Sequence, residues 1–322
     1  VQWSEGEHEH LTKEKLKPDP KRKIHYKLGY GGAFYVVKTS TDGAEQADEK
    51  AAAKAIELLE ARKRDGKPFF LAVGLVRPHV PLVAPAKFFQ PYPAEGMKLP
   101  KRVKDDWADV PKAALNGSSK ARGLASKLQE QKVLEAYYAS VSYMDEQVGK
   151  IVKALDRLGL RDETIVVFTA DHGYHLGEKR LWQKMHLHDP STRIPIIVDA
   201  PGFKPSATPA LAQQIDVYPT LAELCGLKIP PHVQGKSLAP AMNDPKAVIH
   251  EHVYCLRGKN DHLLRTDRWA LIEYGGGRQG IELYDMRNDP RQFTNLANDP
   301  GSAAVVKKLR DQLAAMLNSM KK

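Results

Sequence analysis

The chain has 322 residues, a hydrophobic content of 42% and a formal net charge of +10, with a pI of about 9.3. This composition is that of an ordinary globular protein with a sizeable core, and no apolar run is long enough to span a membrane. The positive charge is densest over residues 13–27, which indicates attraction to polyanions or a solvated arm. No helix-turn-helix, finger or basic–aromatic signature accompanies it, so we do not expect nucleic-acid binding.

The first part of the chain predicts an irregular arm, then a helix and a strand. Residues 1–44 are polar and poorly periodic, which is typical of an irregular arm. Apolar residues at helical spacing predict a helix over 45–64, ended by Gly66. The continuous apolar run 69–75 predicts a strand that is covered on both faces. The proline-rich segment 77–93 is predicted to be an ordered loop without regular structure.

The middle of the chain continues this alternation of helices and strands. The segment 98–123 is predicted to be a surface excursion, and 126–158 a long amphipathic helix. Two apolar strands are predicted over 164–170 and 194–199, and a short helix over 216–225. Helices that alternate with buried strands are typical of an α/β fold in which a mostly parallel sheet lies between helices.

The pattern changes after about residue 248. Four short strand-like segments separated by turns predict a small antiparallel sheet, over 253–256, 262–265, 269–274 and 280–284. An amphipathic helix over 303–320 closes the chain. We therefore predict two domains, an α/β domain over 1–245 and a smaller α+β subdomain over 246–322.

Asp171 and His172 directly follow one of the apolar strands. Ligands of open α/β sheets collect at the carboxyl ends of strands, so this pair is a candidate metal site. The alternative is a turn in which Asp171 caps Gly173 and the histidine is exposed. Carboxylate oxygen suits calcium or magnesium and imidazole suits zinc or manganese, so the residue types alone leave the ion open.

A lysine and three further histidines lie near the predicted strand ends. Lys184 is flanked by Trp and Met, which would shield it from water and strengthen its hold on an anion; the alternative is a lysine that extends over an apolar patch. His79 stands between two prolines after the strand 69–75, as a general acid or as a structural loop residue. We interpret His186 and His188 as solvent-facing, with substrate contact as the alternative.

Several of these segments together carry a family resemblance. VVFTADHGYHLGEKRLWQKM followed by STRIPIIVDAPG resembles the C-terminal half of the catalytic domain of sulfatases of the alkaline-phosphatase superfamily, in the iduronate-2-sulfatase-like branch. PFFLAVGLVRPHVPLVAPAKFF is similar to the apolar strand and proline-flanked histidine of that branch. QIDVYPTLAELCGLKIP and ELYDMRNDPRQFTNLA are similar to its later segments. The resemblance runs from about Asp48 to the end of the chain.

The resemblance implies a fold, an activity and a site. It implies an alkaline-phosphatase-like sheet and sulfuric ester hydrolysis, with a sulfated carbohydrate or another sulfate ester as the substrate. Asp171 and His172 would be ligands of a divalent metal, usually Ca²⁺ in this family. Lys184 would bind the sulfate group, His79 would contact sulfate and the leaving oxygen, and a hydrated formylglycine would attack sulfur. The family implies a periplasmic, secreted or lysosome-like location.

The chain also departs from the family pattern. The family makes its formylglycine in a C/S-x-P-S-R motif, which the sequence does not contain; Cys225 is instead expected to be a buried free thiol. The paired aspartates that open the metal site are missing as well, and the chain does not begin with Met. We therefore expect a C-terminal portion that is inactive alone, with half a metal site and with its N-terminal formylglycine segment as a partner. Its sheet should lack the N-terminal, central strands, which would leave Asp171, His172, His79 and Lys184 beside an open apolar groove.

Two other functions stay open at this point. The first is a phosphoester or phosphonate hydrolase of the same superfamily, because the metal-site framework is shared. The second is a non-catalytic protein that binds anions.

Overall fold

The computed structural model describes residues 26–27, 35–39, 42–44, 46–115 and 117–320. The contacts divide the chain into two units, which are residues 1–99 with 119–164 and residues 100–118 with 165–322. The basic residues over 13–23 lie outside the described residues. The predicted domain boundary near residue 245 stays a prediction.

The first unit consists of two long helices and a three-stranded sheet. Its elements are β1 (Tyr26–Lys27), β2 (Tyr35–Thr39), α1 (Ala47–Asp65), β3 (Leu82–Pro85) and α2 (Lys127–Arg157). β2 is the central strand; it pairs antiparallel with β1 and parallel with β3. α1 packs against α2, and Lys150 on α2 forms an ion pair with Glu49 on α1 at 2.5 Å.

Both long helices follow local signals in the sequence. α1 carries Asp48 and Glu49 in its first turn and basic residues in its last turn, which complements the helix dipole. It ends at Gly66, whose φ of +64° is the left-handed conformation that glycine adopts without strain. α2 begins after Ser126, whose side chain accepts a hydrogen bond from the Gln129 backbone N–H. The predicted helices over 45–64 and 126–158 are therefore confirmed.

Three predictions for the first unit are wrong in part. No strand pairs with 69–75 among the described residues, and Phe70 is 74% exposed, because an apolar run forms a strand only where another strand hydrogen-bonds to it. The proline-rich segment contains β3, which tolerates prolines at its ends, where no ladder N–H is required. β1 and β2 lie within the segment 1–44 that was predicted to be irregular.

The second unit contains the remaining strands and four helices of the described chain. Its strands are β4 (Val166–Thr169), β5 (His175–Leu176), β6 (Trp182–Gln183), β7 (Ile196–Asp199), β8 (His252–Arg257), β9 (Asp261–Thr266), β10 (Trp269–Glu273) and β11 (Ile281–Asp285). Its helices are α3 (Asp189–Thr192), α4 (Val217–Leu224), α5 (Ala239–Asn243) and α6 (Ala303–Ser319). Each predicted strand and helix after residue 164 is confirmed to within a few residues.

β8 to β11 form a four-stranded antiparallel sheet that is covered on both faces. The order of the strands is β11-β10-β9-β8, as expected for strands joined by short turns. Leu264 and Leu271 on one face pack with Leu309 and Leu313 of α6. The opposite face packs against the segment 110–114, so that segment belongs to the core and the predicted surface excursion is wrong there.

β4 and β7 form a separate antiparallel pair in the second unit. Phe168 of β4 lies opposite Ile197 of β7, and Ile197 is 58% exposed. The loop that follows β4 carries Asp171 and His172. No helix in the described part of the chain is long and apolar enough to cross a bilayer.

Candidate functional site

Asp171 and His172 approach each other at the end of β4. His172 Nδ1 lies 2.8 Å from the carbonyl oxygen of Gly173, and because a carbonyl only accepts, Nδ1 carries the hydrogen. His172 Nε2 lies 3.3 Å from a carboxylate oxygen of Asp171 and has no hydrogen-bond partner among the described residues. In the neutral ring with its hydrogen on Nδ1, Nε2 offers a lone pair, so a cation can be held jointly by this atom and the Asp171 carboxylate. The pair has the donor set of a cation site.

Gly173 fixes this loop against the backbone of α3. Its N–H donates to the Ser191 carbonyl oxygen at 2.8 Å. A Cβ at this position would lie 2.2 Å from the carbonyl oxygen of Pro190 and 2.8 Å from that of Arg193. Only glycine allows so close an approach between two backbone segments. The position of Asp171 and His172 therefore depends on this contact.

Lys184 follows the short hairpin formed by β5 and β6. The Trp182 side chain is fully buried, and the backbone N–H of Trp182 donates to the Gly117 carbonyl oxygen at 3.1 Å, which anchors the start of the segment. Lys184 itself is half-buried. Its ammonium has no recorded hydrogen bond or ion pair among the described residues, so it is available to an anion.

His79 belongs to the first unit and is exposed. Its Nδ1 lies 2.6 Å from the Val80 carbonyl oxygen and therefore carries a hydrogen, which leaves Nε2 for proton transfer. The base of the loop is anchored on α1, because Asp48 accepts hydrogen bonds from the backbone N–H groups of Val76 and Arg77 at 2.7 and 3.0 Å. The start of the loop that carries His79 is therefore held in place by α1.

A groove of about 1810 Å³ lies beside the Asp171–His172 pair, entirely within the second unit. Its lining includes both residues together with exposed apolar side chains, among them Ile197 and Val248, which is 77% exposed. This agrees with the expected open apolar groove next to Asp171 and His172. Lys184 does not line the groove, and His79 lies in the other unit.

Sequence reasoning missed a buried histidine cluster in the second unit. His175, His186 and His188 are 0%, 4% and 1% exposed, so the prediction that His186 and His188 face solvent is wrong. The rings of His175 and His186 lie 4.6 Å apart. His188 Nε2 contacts Glu282 at 2.8 Å, and this partner is 94 residues away in the sequence. No local sequence pattern predicts a partner at this distance along the chain.

Burial controls the charges in this cluster. Burial, together with His188, lowers the pKa of His186 to about 4, and burial with His186 lowers the pKa of His175 well below 6.5. Burial alone would raise the pKa of Glu282, but His188 and hydrogen bonds outweigh it and lower that pKa to about 2. His175 and His186 are thus neutral at neutral pH, while Glu282 is ionised.

A second pair that the sequence did not reveal holds one side of the groove. Asp216 is fully buried and His250 Nε2 lies 3.0 and 2.9 Å from its two oxygens. The same carboxylate accepts the backbone N–H groups of Gln213 and Lys236. Because its two oxygens accept these hydrogen bonds, Asp216 fixes the start of α4 and the segment that carries His250.

The comparisons with known proteins give these features a family. A family model described as Sulfatase matches residues 8–227, which is more than half of the chain. The chain belongs to the sulfatase family. A second family model, described as N-sulphoglucosamine sulphohydrolase, C-terminal, matches residues 177–319. The predicted resemblance is therefore confirmed.

Individual sulfatases and related hydrolases show the same similarity. A sulfatase of Formosa agariphila is 34% identical over 239 residues, covering 72% of this chain and 47% of that protein. Iduronate 2-sulfatase of Mus musculus is 35% identical over 302 residues, covering 81% and 52%. The chain thus spans about half the length of the curated relatives it matches.

Solved structures confirm the predicted fold class. The phosphonate monoester hydrolase SpPMH from Silicibacter pomeroyi superimposes with a TM-score of 0.77 at 25% identity, covering 86% of this chain and 60% of that one. The structure of BT4656 in complex with its substrate D-glucosamine-2-N,6-O-disulfate superimposes with a TM-score of 0.72 at 22% identity, covering 89% and 71%. The fold is the α/β fold of the sulfatases, with a small antiparallel sheet and a closing helix.

The family resemblance implies a divalent metal and a formylglycine, and the residues of this chain fit these two groups differently. Within the described residues no cluster of three or more His, Cys, Asp or Glu side chains could hold a metal ion. Asp171 and His172 fit a metal as two of its donors, because the unpaired Nε2 faces a carboxylate. Cys225 is exposed, so its predicted burial is wrong; it follows the last residue of α4 and does not lie in the helix interior. Neither Cys225 nor Cys255 lies in a formylglycine motif, so neither fits that group.

Proposed function

We propose that the protein hydrolyses sulfate esters and that its substrate is a sulfated carbohydrate. The observation that carries the proposal is the sulfatase family match together with the Asp171–His172 pair at the end of β4. The net charge of +10 suits a polyanionic substrate. The sulfated glucosamine bound by BT4656 is an example of such a substrate in a protein of the same fold.

Asp171 and His172 would supply two of the ligands of a divalent metal in this protein. The carboxylate suits calcium, the imidazole is unusual for calcium, and the assignment to Ca²⁺ rests on the family resemblance. A bound divalent cation supplies positive charge that neutralises sulfate oxygens. The role of this chain is to present a carboxylate oxygen of Asp171 and the Nε2 atom of His172 from a loop that Gly173 holds against α3.

Lys184 and His79 take the two other roles. The Lys184 ammonium has no recorded partner in the described chain and is half-buried, where a positive charge attracts a sulfate oxygen more strongly than in water. His79 holds a hydrogen on Nδ1 through Val80, so Nε2 is the atom that delivers a proton to the leaving alcohol oxygen. Both roles follow from side-chain chemistry and agree with the family pattern.

The nucleophile is not among these 322 residues, which contain no C/S-x-P-S-R motif. We therefore expect the isolated 322 residues not to hydrolyse sulfate esters. The exposed apolar side chains of the groove, Ile197 and Val248, suit contact with a further segment of the protein that carries the nucleophile. Activity measurements accordingly require the protein at its natural length.

A second candidate is hydrolysis of phosphonate monoesters. It is favoured by the superposition on SpPMH at a TM-score of 0.77. Sulfate and phosphonate monoesters both carry a tetrahedral anionic group. A divalent cation on Asp171 and His172, together with Lys184, can therefore bind either. Non-catalytic anion binding is the remaining alternative, and it predicts binding without turnover.

Release of 4-nitrophenol from 4-nitrophenyl sulfate tests the proposal. We expect turnover by the natural-length protein, and we expect Lys184→Met to lower kcat/KM by about 100-fold, the typical effect of removing one charge-stabilising group. Lys228→Met removes an exposed lysine and is the matched control, with an effect below about twofold. Equal rates for both variants, or the absence of turnover, would contradict the proposal.

A further inference from the structure

Arg257, the last residue of β8, connects three separate segments of the second unit. Its Nη1 donates to the carbonyl oxygen of Met185 at 2.9 Å, and its Nη2 donates to the carbonyl oxygen of Ala113 at 3.1 Å. Nε and Nη2 both donate to one oxygen of Asp261, at 3.0 and 2.7 Å. The side chain is 13% exposed. The donors of the guanidinium are thus directed to fixed acceptors.

One of these acceptors belongs to the residue directly after Lys184. Before Lys184, the segment is anchored by the backbone N–H of Trp182, which donates to the Gly117 carbonyl oxygen. After Lys184, it is anchored by the Met185 carbonyl oxygen, which accepts a hydrogen bond from Arg257. Gly117 accepts the Trp182 hydrogen bond directly, and Arg257 links the Met185 carbonyl to that of Ala113. Both anchors therefore connect the lysine segment to the segment that contains Ala113 and Gly117. The Lys184 side chain has no recorded polar partner of its own within the described residues. Its location therefore depends on where these anchors hold its backbone.

The remaining contacts of Arg257 keep the guanidinium rigid. The group lies over the ring of Tyr274 at 5.2 Å. Burial alone would raise the pKa of Asp261, but the Gly275 N–H and Arg257 outweigh it and keep that pKa below its usual value. The ion pair with Asp261 consequently persists at neutral and mildly acidic pH.

We propose that Arg257 is a positioning residue for Lys184: by holding the Met185 carbonyl, it sets the place from which the lysine ammonium binds the anionic group of the substrate. This inference rests on the proposed function for the role of Lys184. It adds a residue from the small antiparallel sheet to the sulfate-binding machinery.

Arg268 provides a matched control in the same unit. It also forms a two-donor contact with one carboxylate oxygen, that of Asp285, at 3.1 and 2.7 Å. Its guanidinium lies over the Trp269 ring at 4.7 Å. It makes no recorded contact with the Lys184 segment. Replacing Arg268 therefore tests the loss of an arginine–carboxylate pair and an aromatic contact without the loss of the Met185 anchor.

Steady-state kinetics of the natural-length protein on 4-nitrophenyl sulfate test the positioning role. We expect Arg257→Lys to raise KM about 10-fold with kcat changed less than about twofold, because ground-state binding of the sulfate is weakened. Arg268→Lys should leave both within about twofold. In a Lys184→Met background, Arg257→Lys should add less than about twofold, since coupled residues are not additive. A fall in kcat at unchanged KM, or full additivity with Lys184→Met, would overturn the proposal.

Amide hydrogen exchange separates this inference from the proposed function. We expect Arg257→Lys to speed exchange over residues 184–187 by about tenfold and to leave α6 unchanged, because only the local anchor is lost. Unchanged exchange over 184–187 means that Arg257 does not hold the segment and overturns the inference. If the wild-type protein does not hydrolyse sulfate esters, the proposed function fails, whereas the exchange result still decides whether the anchor exists.

Discussion

Acidification should destabilise the protein through the buried histidine cluster. The pKa of His186 is lowered from 6.5 to about 4 by burial and by His188. The folded state therefore binds its proton less readily than the unfolded state, whose histidine titrates near 6.5. The stability contribution of the neutral ring is full above pH 6.5 and is lost progressively as the pH falls towards 4.

The expected magnitude follows from the size of the pKa change. A fall from 6.5 to about 4, at 1.36 kcal/mol for each pKa unit, corresponds to about 3 kcal/mol lost between pH 7 and pH 4. His175, whose pKa is also lowered by burial and by His186, adds to the loss in the same direction. The carboxylate of Glu282 acts in a lower window, because its pKa of about 2 removes its contribution only as the pH falls below 4.5.

Urea titrations followed by tryptophan fluorescence measure this effect. We expect the free energy of unfolding of the wild-type protein to fall by about 3 kcal/mol more between pH 7 and pH 4 than that of His186→Gln, which has no group that titrates there. His232→Gln replaces an exposed histidine and should follow the wild-type curve. Parallel pH profiles for wild type and His186→Gln would contradict this prediction, because they would show that the buried ring is protonated without a loss of stability.

Three further predictions concern single contacts. Gly173→Ala would place a Cβ 2.2 Å from the Pro190 carbonyl oxygen, so we expect a loss of about 2 kcal/mol by urea unfolding, against no loss for Gly149→Ala in α2, where nothing lies within 4 Å. Leu313→Ala removes a side chain that is 2% exposed under the small sheet and should cost about 3 kcal/mol, with an unchanged unfolding midpoint counting against it. Asp216→Asn should cost about 3 kcal/mol, because His250 and two backbone N–H groups lose a charged acceptor; a thermal melt equal to the wild type would contradict this.

The elements that the sequence predicts correctly are those fixed by local physics. α1 ends where Gly66 supplies a left-handed residue, and α2 begins where Ser126 caps the first turn. The four strands of the small sheet are connected by short turns and show their own alternation, so their antiparallel pairing follows from the chain order. Asp171 and His172 could be recognised as a pair because they are adjacent in the sequence.

The predictions that fail are those that depend on distant partners. The apolar run 69–75 has the composition of a strand, but a strand exists only with a hydrogen-bonded neighbour. His188 lies in a histidine-rich loop of the sequence and is nevertheless buried, because Glu282 contacts it from β11. Arg257 likewise reaches Met185 across 72 residues. Such contacts leave no trace in local spacing, which is why the cluster and the anchor became visible only in the structure.

The ratio of kcat/KM for 4-nitrophenyl sulfate to that for an aryl phosphonate monoester, measured on the natural-length protein, distinguishes a sulfatase from a phosphonate hydrolase. We expect turnover of the sulfate ester with at least about a tenfold preference over the phosphonate, which corresponds to about 1.4 kcal/mol of differential transition-state binding. We also expect Lys184→Met to lower kcat/KM for the sulfate ester by about 100-fold. A preference for the phosphonate monoester, or binding of both esters without turnover, would contradict the proposed sulfatase function.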